Sequence, residues 1–137
     1  MPAIAREVFE EDHEIFRDSV SRFVEVEIAP HHQQWEKDGI VPRELWVKAG
    51  AAGLLGATVP EEYGGGGLTP MEQFILRSEF AWYGVPPVAG PGVNMLGPTI
   101  ILHGTEKQKK ELLPSILSGE VTWAQGYSEP GAGSDLA

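Results

Sequence analysis

Apolar residues recur along most of the chain at the three- and four-residue spacing of an amphipathic helix. One such stripe covers residues 9–28, and Pro30 is expected to end or bend the helix that carries it. Shorter stripes predict further helices around Trp46, after Thr69 and after Thr105. The pattern therefore predicts a mainly α-helical domain.

Two of these predicted helices begin with a capping box, in which a threonine hydroxyl and a Glu or Gln three residues later bind each other's backbone N–H groups. The first box pairs Thr69 with Glu72, and the second pairs Thr105 with Gln108. Between them, residues 94–102 are almost wholly apolar, which predicts a helix that is buried on most sides. Four consecutive glycines just before the first box predict a flexible turn.

Beyond residue 120 the pattern changes, because β-branched and aromatic residues alternate with small or polar ones. This alternation predicts a β-strand, and residues 128–131 predict the turn that ends it. We therefore predict an all-helical domain over residues 1–120. Residues 121–137 are predicted to be the start of a truncated β domain.

Composition narrows the classes of partner and cofactor. The formal net charge is −10, from 10 Lys and Arg against 20 Asp and Glu, so nucleic acids and anionic membranes are not expected partners. No apolar run approaches the roughly 18 residues of a membrane span. The absence of Cys excludes disulfides, and the four His residues lack ligand spacing, so no metal site is expected. The first residues do not form a signal peptide, and the expected compartment is the cytoplasm.

One motif near the carboxyl end is specific. Residues 125–135 read Gln-Gly-Tyr-Ser-Glu-Pro-Gly-Ala-Gly-Ser-Asp and closely resemble the flavin-loop motif of acyl-CoA dehydrogenases. Further matches follow the family's order: Ile-Ala-Pro at 28–30, Pro-Glu-Glu-Tyr-Gly-Gly at 60–65 and His-Gly-Thr-Glu-Lys-Gln-Lys at 103–109. The resemblance implies the family's amino-terminal helical-bundle domain, with the first strand of the following β domain at the carboxyl end.

The same resemblance implies roles for individual residues. Gln125, Tyr127 and Ser128 would bind FAD, with the hydroxyl and backbone N–H of Ser128 donating to the polar edge of the flavin. Ser134 would contact FAD or the acyl-CoA. Glycine beside such a strand end would let the backbone approach a flat ligand closely.

Residues 94–102 correspond in the family to a wall of the acyl-chain pocket, in which Met95 and Thr99 would contact the substrate. The small residues 90–92 would lie at the floor of that pocket and leave room for a chain. This favours medium or long acyl groups over short ones.

The implied reaction is the oxidation of acyl-CoA to trans-2-enoyl-CoA in fatty-acid β-oxidation. A Glu carboxylate removes the α proton, the β hydride passes to the flavin, and the electrons go on to an electron-transferring flavoprotein. In the family this base belongs to a later domain, so no catalytic residue is expected in this chain, which would be an inactive fragment by itself. The full-length protein would be a homo-oligomer, a tetramer.

Two alternatives remain at this point. The chain could be a non-catalytic helical interaction module, or part of a relative that resembles acyl-CoA oxidases. A lone strand without its sheet favours the fragment over the module.

Overall fold

The computed structural model of the protein describes residues 8–86 and 90–133. Its α-helices are α1 (Glu11–Phe23), α2 (Ala29–Asp38), α3 (Arg43–Ala51), α4 (Pro70–Trp82), α5 (Gly97–His103) and α6 (Glu106–Leu117). Shorter helical segments are the π-helices Val24–Ile28 and Gly92–Leu96 and the 3₁₀ turn Glu61–Tyr63. The mainly helical domain predicted from the sequence is confirmed. None of the helices in the described residues is both long and apolar enough to cross a membrane.

Both π-helical segments lie directly before a helix that carries proline in its first turn. The Ala29 N–H donates to the Val24 carbonyl and the Gly97 N–H to the Gly92 carbonyl, each five residues earlier. A proline ring clashes with the carbonyl four residues before it, and a wider π turn relieves that clash. The first helix is therefore interrupted just before Pro30 and then continues as α2.

The two predicted capping boxes are confirmed. In α4 the Thr69 hydroxyl accepts from the Glu72 N–H, and the Glu72 carboxylate accepts from the Thr69 N–H at 2.8 Å. In α6 Thr105 and Gln108 repeat the arrangement, with the Thr105 N–H donating to the Gln108 side chain at 2.8 Å. Each box satisfies backbone donors that a helix leaves unpaired at its first turn.

The hydrophobic core is divided among three neighbouring clusters of buried side chains. One lies among α1, α3 and α4, one joins α5 to α6, and one packs the first π-helical segment against α3. Their buried members are, in that order, Val20, Ala49, Leu54, Leu55 and Leu76; Val59, Ile100, Leu113, Ile116 and Leu117; and Val24, Ile28 and Leu45.

The glycine run at 64–67 was predicted to be a flexible turn, and this is wrong. The N–H groups of Gly65, Gly66 and Gly67 donate to backbone carbonyls of residues 56–60 at 2.9–3.2 Å. A Cβ on Gly65 would lie 2.0 Å from the Val59 carbonyl oxygen. The run is thus a tightly packed loop in which glycine is required for close approach rather than for mobility.

Two predictions about the second half also need correction. The helix at 94–102 is not buried on most sides, because Met95 is 44% exposed and Leu102 is 76% exposed. The predicted strand beyond residue 120 is not formed within the described part of the chain: residues 121–128 are irregular. A strand needs a neighbouring strand for its hydrogen bonds, and the described residues offer none.

Candidate functional site

The candidate site begins where the chain leaves α6 and crosses α3. Gly119 adopts a φ of +70°, and a Cβ there would lie 2.7 Å from the carbonyl group of Trp46. On the other side of this crossing, a Cβ on Gly50 would lie 2.4 Å from the Leu117 carbonyl oxygen. Two glycines therefore let the backbones of α3 and the α6 exit touch, which fixes where the following segment starts.

Residues 120–123 are held on both sides. The Arg43 guanidinium, at the first residue of α3, donates to the Glu120 carbonyl at 3.0 Å and to the Thr122 hydroxyl at 3.2 Å. The Trp123 side chain packs into the cluster of α5 and α6 and fills the space in front of Gly92, where a Cβ would lie 2.6 Å from the indole ring. Its buried indole N–H has no hydrogen-bond partner within the described ranges.

From residue 124 the chain projects into solvent, and every residue from 124 to 131 is exposed. The side chains of Gln125, Tyr127 and Ser128 make no hydrogen bond to any described residue, and no backbone N–H of residues 121–128 does so either. This is a row of free donors on a segment whose start is fixed.

A tight turn closes the described part of this segment. The Glu129 N–H donates to the Ala132 carbonyl at 2.8 Å, and the Ala132 N–H donates back at 3.1 Å. Pro130 and Gly131 occupy its two central positions, and a side chain on Gly131 would meet open space. The predicted turn is therefore present, one residue later than expected, and it displays Ser128 beside Gly133. Ser134, the other predicted ligand contact, lies outside the described residues.

The predicted acyl-pocket wall presents an exposed face. Met95 and Thr99 lie one helical turn apart on it, and the Thr99 hydroxyl donates to the Met95 carbonyl at 2.8 Å. Leu102 continues the same face. An exposed, partly apolar helix face is compatible with the wall of a binding pocket, and the substrate contacts of Met95 and Thr99 stay predictions.

The predicted floor at residues 90–92 differs from expectation. Gly92 is buried, and the space that its missing side chain leaves is filled by Trp123 rather than left open. Gly90 does face open space, with a φ of +59°. The contact between Gly92 and Trp123 nevertheless brings the start of the predicted flavin segment against the start of the predicted wall.

The titratable residues with altered pKa values lie elsewhere. Hydrogen bonds from Lys109 and from the Tyr63 hydroxyl lower the pKa of Glu106, and burial together with the bond to Glu106 raises the pKa of Tyr63. Their hydrogen bonds connect the 3₁₀ turn to the start of α6. We interpret this contact as structural, because none of the predicted ligand residues takes part in it.

Residues 10–120 match the N-terminal domain of acyl-CoA dehydrogenases. The chain is 42% identical over 135 residues to the mitochondrial long-chain specific acyl-CoA dehydrogenase of Sus scrofa, covering 96% of this chain and 31% of that protein. A crystal structure of an acyl-CoA dehydrogenase from Geobacillus kaustophilus superimposes with a TM-score of 0.79 at 38% identity, covering 96% of this chain and 35% of that one. A protein described as the Tcur3481-Tcur3483 steroid ACAD gives 0.73 at 37% identity, covering 93% and 34%.

This chain belongs to the acyl-CoA dehydrogenase family. It spans about a third of the length of these relatives. The family resemblance recognised in residues 125–135 is therefore confirmed. The division at residue 120 and the individual ligand contacts remain predictions.

Sequence reasoning missed two residues of this acyl-CoA dehydrogenase segment, Arg43 and Trp123. Arg43 could have been noticed, because a cation at the first residue of a helix opposes the positive end of the helix dipole and needs another reason to be there. In the sequence, Trp123 is only one member of the alternating pattern that predicts a strand. Its position against Gly92 depends on a tertiary contact between residues 31 positions apart in sequence, which no local pattern encodes.

Proposed function

We propose that this chain is the helical domain and the first flavin-binding segment of an FAD-dependent acyl-CoA dehydrogenase that oxidises acyl-CoA to trans-2-enoyl-CoA. The observation that carries the proposal is the exposed row of free donors at residues 124–128, held at its start by Arg43 and Trp123. The family membership of the chain supports it.

The donor set fits a flavin. The polar edge of the isoalloxazine ring presents carbonyl oxygens and ring nitrogens, which need N–H and O–H donors. Free donors are available from the Gln125 amide, the Tyr127 hydroxyl, and the Ser128 hydroxyl and backbone N–H. FAD, when bound, supplies the acceptor for the hydride that leaves the β carbon of the substrate. In this proposal Ser134 adds a contact to FAD or to the acyl-CoA.

The chain's remaining contribution is to the acyl group. Met95 and Thr99, with Leu102 on the same exposed face, would line one side of the acyl chain. One relative named above is long-chain specific and another is described as a steroid ACAD, which supports a long or bulky acyl group. An apolar face excludes water from the chain but does not fix its length.

No glutamate of this chain is proposed as the base that removes the α proton. In this proposal that group, the remaining FAD contacts, and the surfaces for a homotetramer and for an electron-transferring flavoprotein belong to further domains. A cytoplasmic location remains part of the proposal, although the long-chain relative of Sus scrofa is named as mitochondrial.

The reading frame beyond the codon for Ala137 tests the proposal first. An in-frame continuation that encodes a β domain and a second helical domain supports it, whereas a stop codon followed by unrelated sequence contradicts it. The complete protein should then contain FAD and reduce an electron-transferring flavoprotein with long-chain acyl-CoA. Hydrogen peroxide formed with every acyl-CoA, in place of that electron transfer, would instead indicate the oxidase-like relative.

The 137-residue chain alone gives a second test. It carries only one edge of the proposed flavin site, and we expect no FAD to remain bound after gel filtration. Stoichiometric flavin absorbance in the protein peak would show that the chain contains a complete flavin site. That result would contradict the proposal that further domains supply the remaining FAD contacts.

A further inference from the structure

The connection between the helical body and the proposed flavin segment is only four residues long, and its two sides are held differently. Thr122 faces α3, where its hydroxyl accepts from Arg43, and Trp123 faces the opposite way, against Gly92 and the cluster of α5 and α6. We call this pair of contacts the Arg43–Trp123 anchor. Beyond it, every residue from 124 to 131 is exposed.

The position of Arg43 argues for a role beyond helix stability. It is the first residue of α3, where the helix dipole favours an anion, and it has no acidic partner within the described ranges. Both of its hydrogen bonds instead go to residues 77 and 79 positions later in the chain. Arg43 thus departs from the preference for acidic residues at a helix N-terminus and instead binds residues that are distant in sequence. Such departures from local preference are expected at functional positions.

The geometry of Arg43 suits this task. A planar guanidinium presents several N–H groups in a fixed fork, so one side chain can bind a carbonyl and a hydroxyl two residues apart at once. Hydrogen bonds to both the Glu120 carbonyl and the Thr122 hydroxyl fix the direction in which the chain runs past α3. A single hydrogen bond would let the chain rotate about that contact. Trp123 prevents the remaining rotation, because its ring lies closer to Gly92 than any Cβ would allow.

We propose that Arg43 is a positioning residue for the flavin-binding segment, acting through Glu120 and Thr122, and that Trp123 supports it from the other side. This inference rests on the proposed function. It implies that Gln125 and Ser128 reach the flavin in register only while residues 120–123 are held against α3.

The contact itself can be tested in the 137-residue chain. The buried Trp123 indole N–H, assigned by its absence in Trp123→Phe, should exchange with solvent about fivefold faster in Arg43→Gln than in the wild type. Arg43→Lys should be intermediate, because an ammonium group lacks the fork. Arg22→Gln, which removes an exposed arginine with the same change in charge, is the matched control and should leave the exchange rate unchanged.

A mutant cycle with Thr122→Val tests the route of the effect. If Arg43 acts through Thr122, the double variant should exchange more slowly than the sum of the two single effects predicts. Fully additive effects, or an Arg43→Gln rate equal to that of Arg22→Gln, would overturn the anchor.

The positioning role is tested in the complete FAD-containing protein. Arg43→Gln should weaken FAD binding about tenfold and alter the shape of the bound flavin's visible absorption band, with partial rescue in Arg43→Lys and no change in Arg22→Gln. Equal FAD affinity and an unchanged band in Arg43→Gln would overturn the positioning role. If the complete wild-type protein binds no FAD, the proposed function is wrong. This outcome differs from failure of the positioning role, because it is seen in the wild type without any substitution.

Discussion

The helical body and the carboxyl-terminal segment of this chain are built on opposite principles. In the body, residues 11–119, apolar side chains are buried in three clusters and capping boxes complete the helices. In the segment, residues 124–133, the structure describes no buried side chain, and the backbone hydrogen bonds described within residues 124–132 are those of one tight turn. The body holds nearly all of the stability, and the segment holds the donors that the proposed chemistry needs. Ligand-binding elements are commonly drawn from such weakly stabilised parts of a fold.

The largest expected contrast between these regions lies in amide hydrogen exchange. The N–H of Leu113 is internal to α6 and its side chain is 0% exposed, so its exchange should require global unfolding. The N–H groups of residues 124–128 have no hydrogen-bond partner among the residues that the structure describes and should exchange at least roughly a thousandfold faster. Nuclear magnetic resonance of the 137-residue chain measures both. Comparable protection in the two regions would show that the segment is folded onto the body.

A core truncation should affect the body strongly. Leu113→Ala removes a fully buried side chain from the cluster of α5 and α6 and should lower the free energy of unfolding by about 3 kcal/mol. Urea denaturation followed by circular dichroism measures it.

Leu102→Ala is the matched control, because the same truncation is made at a side chain that is 76% exposed. It should change the free energy of unfolding by less than about 0.5 kcal/mol. An equal loss in the two variants would contradict the assignment of Leu113 to the core and of Leu102 to an exposed face.

The contrast between the regions also explains what the sequence could predict. Helix periodicity and capping are local, so the boundaries of α4 and α6 follow from Thr69 and Thr105 and from the apolar stripes behind them. The π-helical turns were missed because they depend on how a proline ring meets a carbonyl in the preceding turn. The flavin motif was recognised from its residues, but its attachment through Arg43 and Gly92 is tertiary.

A substitution at the junction should have an intermediate effect on stability and reach both regions. Gly92→Ala would place a Cβ 2.6 Å from the Trp123 ring, so the indole must move or the π-helical turn must shift. Overpacking of this kind costs about 1–3 kcal/mol, which thermal or urea denaturation measures. Gly92→Ala should also change the tryptophan fluorescence of the folded protein. The same substitution made in a Trp123→Phe variant should leave the fluorescence unchanged.

Gly126→Ala is the control for the junction. It also adds one methyl group to a glycine, but on the segment, where nothing lies within 4 Å of the new Cβ. It should leave the unfolding free energy unchanged within about 0.5 kcal/mol. If Gly92→Ala were equally neutral, Trp123 would not be packed against the π-helical turn.

The smallest effect concerns the caps and should appear only in the body. Hydrogen bonds from the Thr69 hydroxyl and backbone N–H lower the pKa of Glu72 below its usual 4.5. A carboxyl whose pKa is lower in the folded state stabilises the fold above its unfolded pKa, and this contribution is lost as the pH falls through the folded value. Glu72→Gln keeps a capping side chain but removes the charge. The wild type should therefore exceed Glu72→Gln in stability at pH 7 by no more than about 1 kcal/mol, because the pair is open to solvent, and this advantage should vanish in acid.

The second capping box already carries the neutral partner Gln108, so Gln108→Glu should introduce a pH dependence of the same sign at α6. Urea denaturation at the two pH values measures both variants, and an advantage of the wild type that grows in acid would reverse the assigned sign.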